Sequence, residues 1–264
     1  MPILWKYLLV VAATCALAFA IAQNDAAAQT PAAQPAYGAA GPFKVEVSDA
    51  TWRDAVRGRD LPVRIYAPNV SGNSVAANNR FPVILFSHGL GGNRAGGKLW
   101  AEHWAGHGYV VVAMQHGGSD ESPWKDRATS DLAKNMKAGM TLGNAGLRVG
   151  DIRIPLFSVT GTEDGSILGD GTKYTDRMLP YENMPPDGKY LAVFDGGDHM
   201  VFGGHELGKR RPETARDREI QAAVKSATLA FWHATLKRDE SARKWLDAGG
   251  FKSTLNAKDV FASK

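Results

Sequence analysis

Residues 81–114 read FPVILFSHGLGGNRAGGKLWAEHWAGHGYVVVAM, and their pattern sets the fold class. Val83 to Phe86 is a continuous apolar run that opens into a glycine-rich turn. A run without polar alternation predicts a strand buried on both faces, as in a parallel sheet. Lys98 to His107 reads as a helix closed by Gly108, and Tyr109 to Met114 reads as a second apolar strand. Strand, helix and strand within about 35 residues make a βαβ unit, which points to an α/β fold.

Working outward, FKVEV at 43–47 alternates like a half-buried strand, with Trp52 continuing it after a turn, and LPVRIY at 61–66 is a second strand. Downstream, Asp126 to Met140 fits a polar helix, and Pro155 to Val159 is a buried strand running into TGTEDG. A loop and short helix over about Thr175 to Met184 precede a strand at Tyr190 to Phe194, which ends in DGGDHM. Glu213 to Trp245 is mostly helical, and Gly249-Gly250 stops it. Ile220, Val224, Ala227, Phe231 and Leu236 fall near one face at helical spacing. Phe231 and Trp232 read as core and groove wall. No internal repeat is visible.

Composition narrows the function. The 264 residues are 44% hydrophobic and 22% charged, ordinary for a globular chain. A formal charge of +4 is spread among acids, and the densest basic run is Lys209-Arg210-Arg211. That is too short to form a nucleic-acid groove, so no nucleic-acid partner is expected. At the N-terminus, Lys6 precedes the apolar run YLLVVAATCALAFAIA, and Ala20-Ile21-Ala22 fits a cleavage site. Residues 1–22 are therefore expected to be a signal peptide and 23–41 an Ala/Gln/Pro-rich linker, followed by one domain over 42–264. Periplasmic or secreted localisation follows, with no stable membrane insertion after cleavage. The only cysteine, Cys15, leaves with the leader, so the mature chain has no thiol chemistry. Oligomeric state is open.

Three strand ends carry polar or glycine-rich turns: SHGLGGN, TGTEDG and DGGDHM. In a doubly wound sheet the carboxyl ends of the strands share one edge, where ligand sites form, so Leu90, Asp164 and His199 can meet there. Backbone N–H groups of a turn such as His88-Gly89-Leu90-Gly91 can make an oxyanion hole. An acid after one strand and a histidine after the next suit an orienting charge and a general base. His103 and His107 have the i, i+4 spacing of metal ligands, but no third ligand is evident and HExxH is absent, so no metal is expected. GLGGN lacks the Lys-Ser/Thr of a nucleotide loop.

Residues 81–122, with IPLFSVTGTEDGSI and KYLAVFDGGDHMVFGG, resemble the α/β-hydrolase superfamily, in its dienelactone hydrolase and platelet-activating-factor acetylhydrolase-like branch. The resemblance covers most of residues 43–245 and implies a mostly parallel sheet with flanking helices. It also implies a serine esterase or lipase acting on a small ester or lipid without a cofactor. By that resemblance Asp164 would be the acid, His199 the base, and the Leu90 N–H an oxyanion donor.

The chain departs from the family at the nucleophile. The family sets G-x-S-x-G on a strained strand-to-helix turn, and no serine here lies in that motif. Gly117-Gly118-Ser119-Asp120-Glu121 lacks the second glycine, and Pro123 and a polar loop follow it. Asn144 to Asp151, NAGLRVGD, resembles the start of the helix before the elbow, yet IRIPLF follows at once. Residues 117–153 are too few for the polar helix plus a further strand, elbow, helix and strand. The expectation is therefore a sheet shortened by a central strand and its elbow helix, with activity weak or absent. The alternative is a non-catalytic remnant that binds a lipid or ester. Asp164 and His199 should lie within hydrogen-bonding reach near the Leu90 turn, with no serine Oγ on His199.

Overall fold

The computed structural model describes residues 36–55, 58–71, 80–89, 92–116, 154–166, 171–204 and 211–264. The expected leader, most of the expected linker, Leu90, Ser119 and the junction at 144–153 lie outside them. The described strands form two sheets. In the first, β1 (Val45–Asp54), β2 (Arg59–Pro68), β3 (Val83–Ser87) and β4 (Val110–Met114) lie in the order β1-β2-β4-β3. In the second, β5 (Leu156–Glu163), β6 (Lys189–Asp198) and β7 (Val260–Ser263) lie in sequence order.

The βαβ unit is present: β3 pairs parallel with β4 across α1 (Lys98–Gly106). β5 and β6 are also parallel, whereas β1–β2, β2–β4 and β6–β7 are antiparallel. The sheets are thus mixed, which corrects the mostly parallel expectation, while mixed sheets with flanking helices still fit an α/β fold. The expected loss of a central strand falls on residues 117–153, outside the described set.

Burial corrects the reading of β3. Ile84 is buried, but Val83 and Leu85 are 56% and 64% exposed, so the strand is covered on one face only. An apolar run alone does not distinguish the two cases, because neighbours distant in sequence decide what covers each face. Trp52 needs no separate turn, since β1 runs unbroken through it against Leu61 of β2.

α1 begins at Gly97, whose left-handed φ of 70° turns the chain into the helix. Its Trp100, Ala101, Trp104 and Ala105 are buried, one face at i, i+1, i+4 and i+5 spacing. Gly108, at φ 84°, ends it in the left-handed conformation that favours glycine. Trp104 Nε1 donates to Thr228 Oγ1 at 3.0 Å, tying α1 to a later helix. Between β5 and β6 lies α2 (Leu179–Asn183), preceded by a 3₁₀ turn at Tyr174–Met178, close to the expected short helix.

The helical tail is two helices instead of one. α3 (Ala215–Leu236) is started by a Thr214–Asp217 capping box, and α4 (Glu240–Asp247) by Asp239, which accepts from the Ser241 and Ala242 N–H groups. Arg238 between them has φ 56°, a conformation that breaks a helix. Ile220, Val224, Ala227 and Phe231 are buried as expected, but Leu236 at the frayed end is 42% exposed. Tyr66, Val111 and Ala113 of the first sheet and Tyr190, Ala192 and Phe194 of the second join one hydrophobic core with α1 and α3. No helix among the described residues is long and apolar enough to cross a membrane.

Candidate active-site pair at the ends of β5 and β6

The carboxyl ends of β5 and β6 approach through paired glycines. A Cβ on Gly161 would collide with the main-chain oxygen of Gly197, so position 161 must stay bare for the strands to come this close. The register shifts between Gly161 and Glu163, an irregularity that redirects the end of β5. Thr162 Oγ1 accepts from the Gly196 N–H at 2.8 Å, and the Asp164 N–H donates to Gly161 O at 2.9 Å. These bonds set Asp164 at the mouth of the two strands.

Asp164 is 3% exposed, and a buried carboxylate requires partners. It has three. His199 Nδ1 donates to Oδ1 at 2.9 Å, and Thr160 Oγ1 donates to Oδ2 at 3.0 Å. Arg177 Nε lies 3.0 Å from Oδ1 and also donates to the Asp164 main-chain oxygen at 2.8 Å. The His199 side chain is 46% exposed. With Nδ1 turned to the carboxylate, Nε2 is the ring atom placed to take a proton as a general base. Among the described residues, no serine or threonine hydroxyl hydrogen-bonds His199.

A second aspartate holds the turn that carries His199. Asp198 Oδ1 accepts from the N–H groups of Met200 and Val201, both at 3.0 Å, and Arg211 donates to Oδ2 at 3.1 Å. Arg211 also grips Asp217 through two bonds at 2.7 and 2.8 Å, and this cation holds the Asp217 carboxyl well below the usual carboxylate range. The His199 turn is thereby braced against the first turn of α3.

The same turn meets the segment after β3. Gly97 N–H donates to Gly203 O at 3.3 Å, Leu99 N–H to Gly204 O at 3.1 Å, and Trp100 Nε1 to Phe202 O at 3.1 Å. Gly204 has φ 65°, and a Cβ there would reach within 2.8 Å of Gly97 Cα. So the glycine-rich segment and the His199 turn share a seam. Leu90, the expected oxyanion donor, lies outside the described residues.

Sequence reading missed Arg177, Thr160 and Asp198. Arg177 and Thr160 carry no local signal, since only the fold brings them to Asp164. Asp198 had one: an aspartate two and three residues before turn N–H groups is a common local brace. The pair His103 and His107 is committed elsewhere. His103 Nε2 lies 3.0 Å from Tyr37 O, and His107 Nδ1 lies 2.8 Å from His103 O. Burial pushes His103 down to about 4 and His107 below its ordinary value. No group of three or more potential metal ligands occurs among the described residues.

The family comparison reaches the first of the three motifs. Residues 40–138 match the family model described as platelet-activating factor acetylhydrolase, isoform II. A search of curated proteins gave no match. A solved structure named FAE is 12% identical, with 68% of this chain and 95% of that chain covered and a TM-score of 0.33. Over residues 40–138, then, the chain is similar to the platelet-activating-factor acetylhydrolase family, consistent with the branch its motifs resemble.

Proposed function

We propose that this chain is an exported carboxylic-ester hydrolase of the acetylhydrolase type, whose acid and base persist without an elbow nucleophile. The observation that carries it is the 2.9 Å bond between buried Asp164 and half-exposed His199, set at the ends of two adjacent parallel strands. The family match supports an ester-hydrolase-like origin and hence an ester or lipid substrate. In this reading Asp164 orients His199 and stabilises the imidazolium, while Thr160 and Arg177 hold the buried carboxylate in place. The Leu90 N–H serves as an oxyanion donor. The chemistry uses no metal or cofactor, and residues 1–22 direct export and are removed.

Without a hydroxyl on His199, turnover through this pair is weak or absent. The second reading, a remnant that binds an ester or lipid without cleaving it, draws on the same lack of a hydroxyl among the described residues. A chromogenic short-chain ester tests the first. Turnover in Ser119→Ala and in His199→Ala is expected to stay within a few-fold of the parent. Fast turnover abolished by Ser119→Ala, or by His199→Ala with an intact melt, would overturn the missing-nucleophile reading. Saturable binding of the uncleaved ester would favour the remnant.

A further inference from the structure

The other sheet holds a histidine beside a hydroxyl. Ser87 and Met114 are register partners at the ends of β3 and β4, which brings His116, two residues beyond, over the end of β3. Ser87 Oγ lies 2.8 Å from His116 Nε2, and Ser87 is exposed. The main-chain N–H of His116 donates to His88 Nε2 at 3.0 Å, which makes that nitrogen an acceptor. The other nitrogen, Nδ1, then carries the proton, which it gives to Gly89 O at 2.7 Å. His88 thus pins the backbone of His116. Burial, followed by the nearby His88 and Arg59, holds His116 below its ordinary histidine value, so near neutral pH its ring is uncharged and able to accept a proton.

An exposed hydroxyl within hydrogen-bonding reach of a neutral imidazole, with a third group fixing the base, is the arrangement that activates a serine. We infer that Ser87 and His116 form a nucleophile–base pair that takes acyl or phosphonyl groups from activated esters, separately from Asp164 and His199. Ser87 Oγ attacks the carbonyl carbon while His116 Nε2 takes its proton. The tetrahedral adduct collapses, the bond to the alcohol oxygen breaks, and His116 returns the proton to the leaving alkoxide. Water then attacks the acyl-serine by the same proton route, releasing the acid and restoring Ser87. With a fluorophosphonate, the Oγ–P bond forms, fluoride departs and the proton goes to His116, leaving a stable adduct.

The test is adduct mapping on the full chain. The protein is incubated with a fluorophosphonate, and the modified residue is located by peptide mass spectrometry. A single adduct on Ser87, formed about 100-fold more slowly in His116→Gln, is expected. No adduct, an adduct on another residue, or a Ser87 adduct whose rate is unchanged in His116→Gln would overturn the pair. Mapping the wild-type chain needs no variant to fold. It also reads a residue that the ester assays with His199→Ala and Ser119→Ala do not, so the failure of either proposal is recognisable on its own.

Discussion

Among the described residues, one sheet end pairs a histidine with a carboxylate and the other pairs a histidine with a hydroxyl. At the end of the second sheet, His199 is held by a buried carboxylate and meets no described hydroxyl. At the end of the first, His116 lies 2.8 Å from a hydroxyl, and its main-chain N–H donates to another histidine. The difference is one of cost. A carboxylate buried to 3% demands a network, so Asp164 is surrounded by Thr160, Arg177 and His199. A serine at an exposed strand end demands nothing, and Ser87 stands there with its partner alone. One end is built into the fold, and the other rests on it.

The sharpest break in that contrast is energetic. Asp164→Ala removes the acceptor shared by three donors and leaves the buried Thr160 hydroxyl and part-buried Arg177 without it. A loss of about 3 kcal/mol is expected from denaturant midpoints. Ser87→Ala, at an exposed position, should stay within about 0.5 kcal/mol of the parent. Equal losses would mean that the first sheet's end is as embedded as the second's. Gly161→Ala comes next. Its new methyl meets the Gly197 carbonyl, backbone that cannot rotate away, so about 2 kcal/mol should be lost and the Asp164–His199 bond disturbed. An unchanged His199 imidazole NMR signal in that variant would show that the glycines are not what positions the pair.

The smallest effect is a pH dependence that belongs to neither end. His103, between Tyr37 and α3, is pushed down to about 4 first by burial, then by His107 and Lys225. A histidine depressed in the fold binds protons more readily when unfolded, so its contribution is intact above the ordinary value near ~6.5 and is lost as pH falls from there toward 4. His103→Gln should therefore flatten the decline of the melting temperature over that interval. An identical decline would move the acid sensitivity to the sheet ends.

Local signals carried the elements, and long-range ones did not. The run from Val83 to Met114 was legible because two apolar strands, a helix and their glycine stops all lie within it. Asp164 and His199 stood out as an acid and a histidine just past apolar strands, and the fold sets them 2.9 Å apart. Division into two sheets was hidden, since strand partners are chosen across the chain and not by any one segment. β7, four residues long, has too short a pattern to detect, yet β6 takes it as an edge partner. The break between α3 and α4 had a signal, Asp239 followed by Ser241, that the longer helical periodicity masked. Arg177 was invisible because only the assembled fold gives it a carboxylate.

The seam between Gly97 and Gly204 has a consequence for inheritance. A Cβ on Gly204 would run into Trp100 and the Cα of Gly97, and a Cβ on Gly97 would run into the ring of Phe86. Neither position can therefore drift freely: a methyl at Gly204 would push the His199 turn off the start of α1, and one at Gly97 would push on Phe86 of β3. Two loops far apart in the chain are bound to a common history, and a lineage could lose its chemistry long before it lost that hinge of bare backbone.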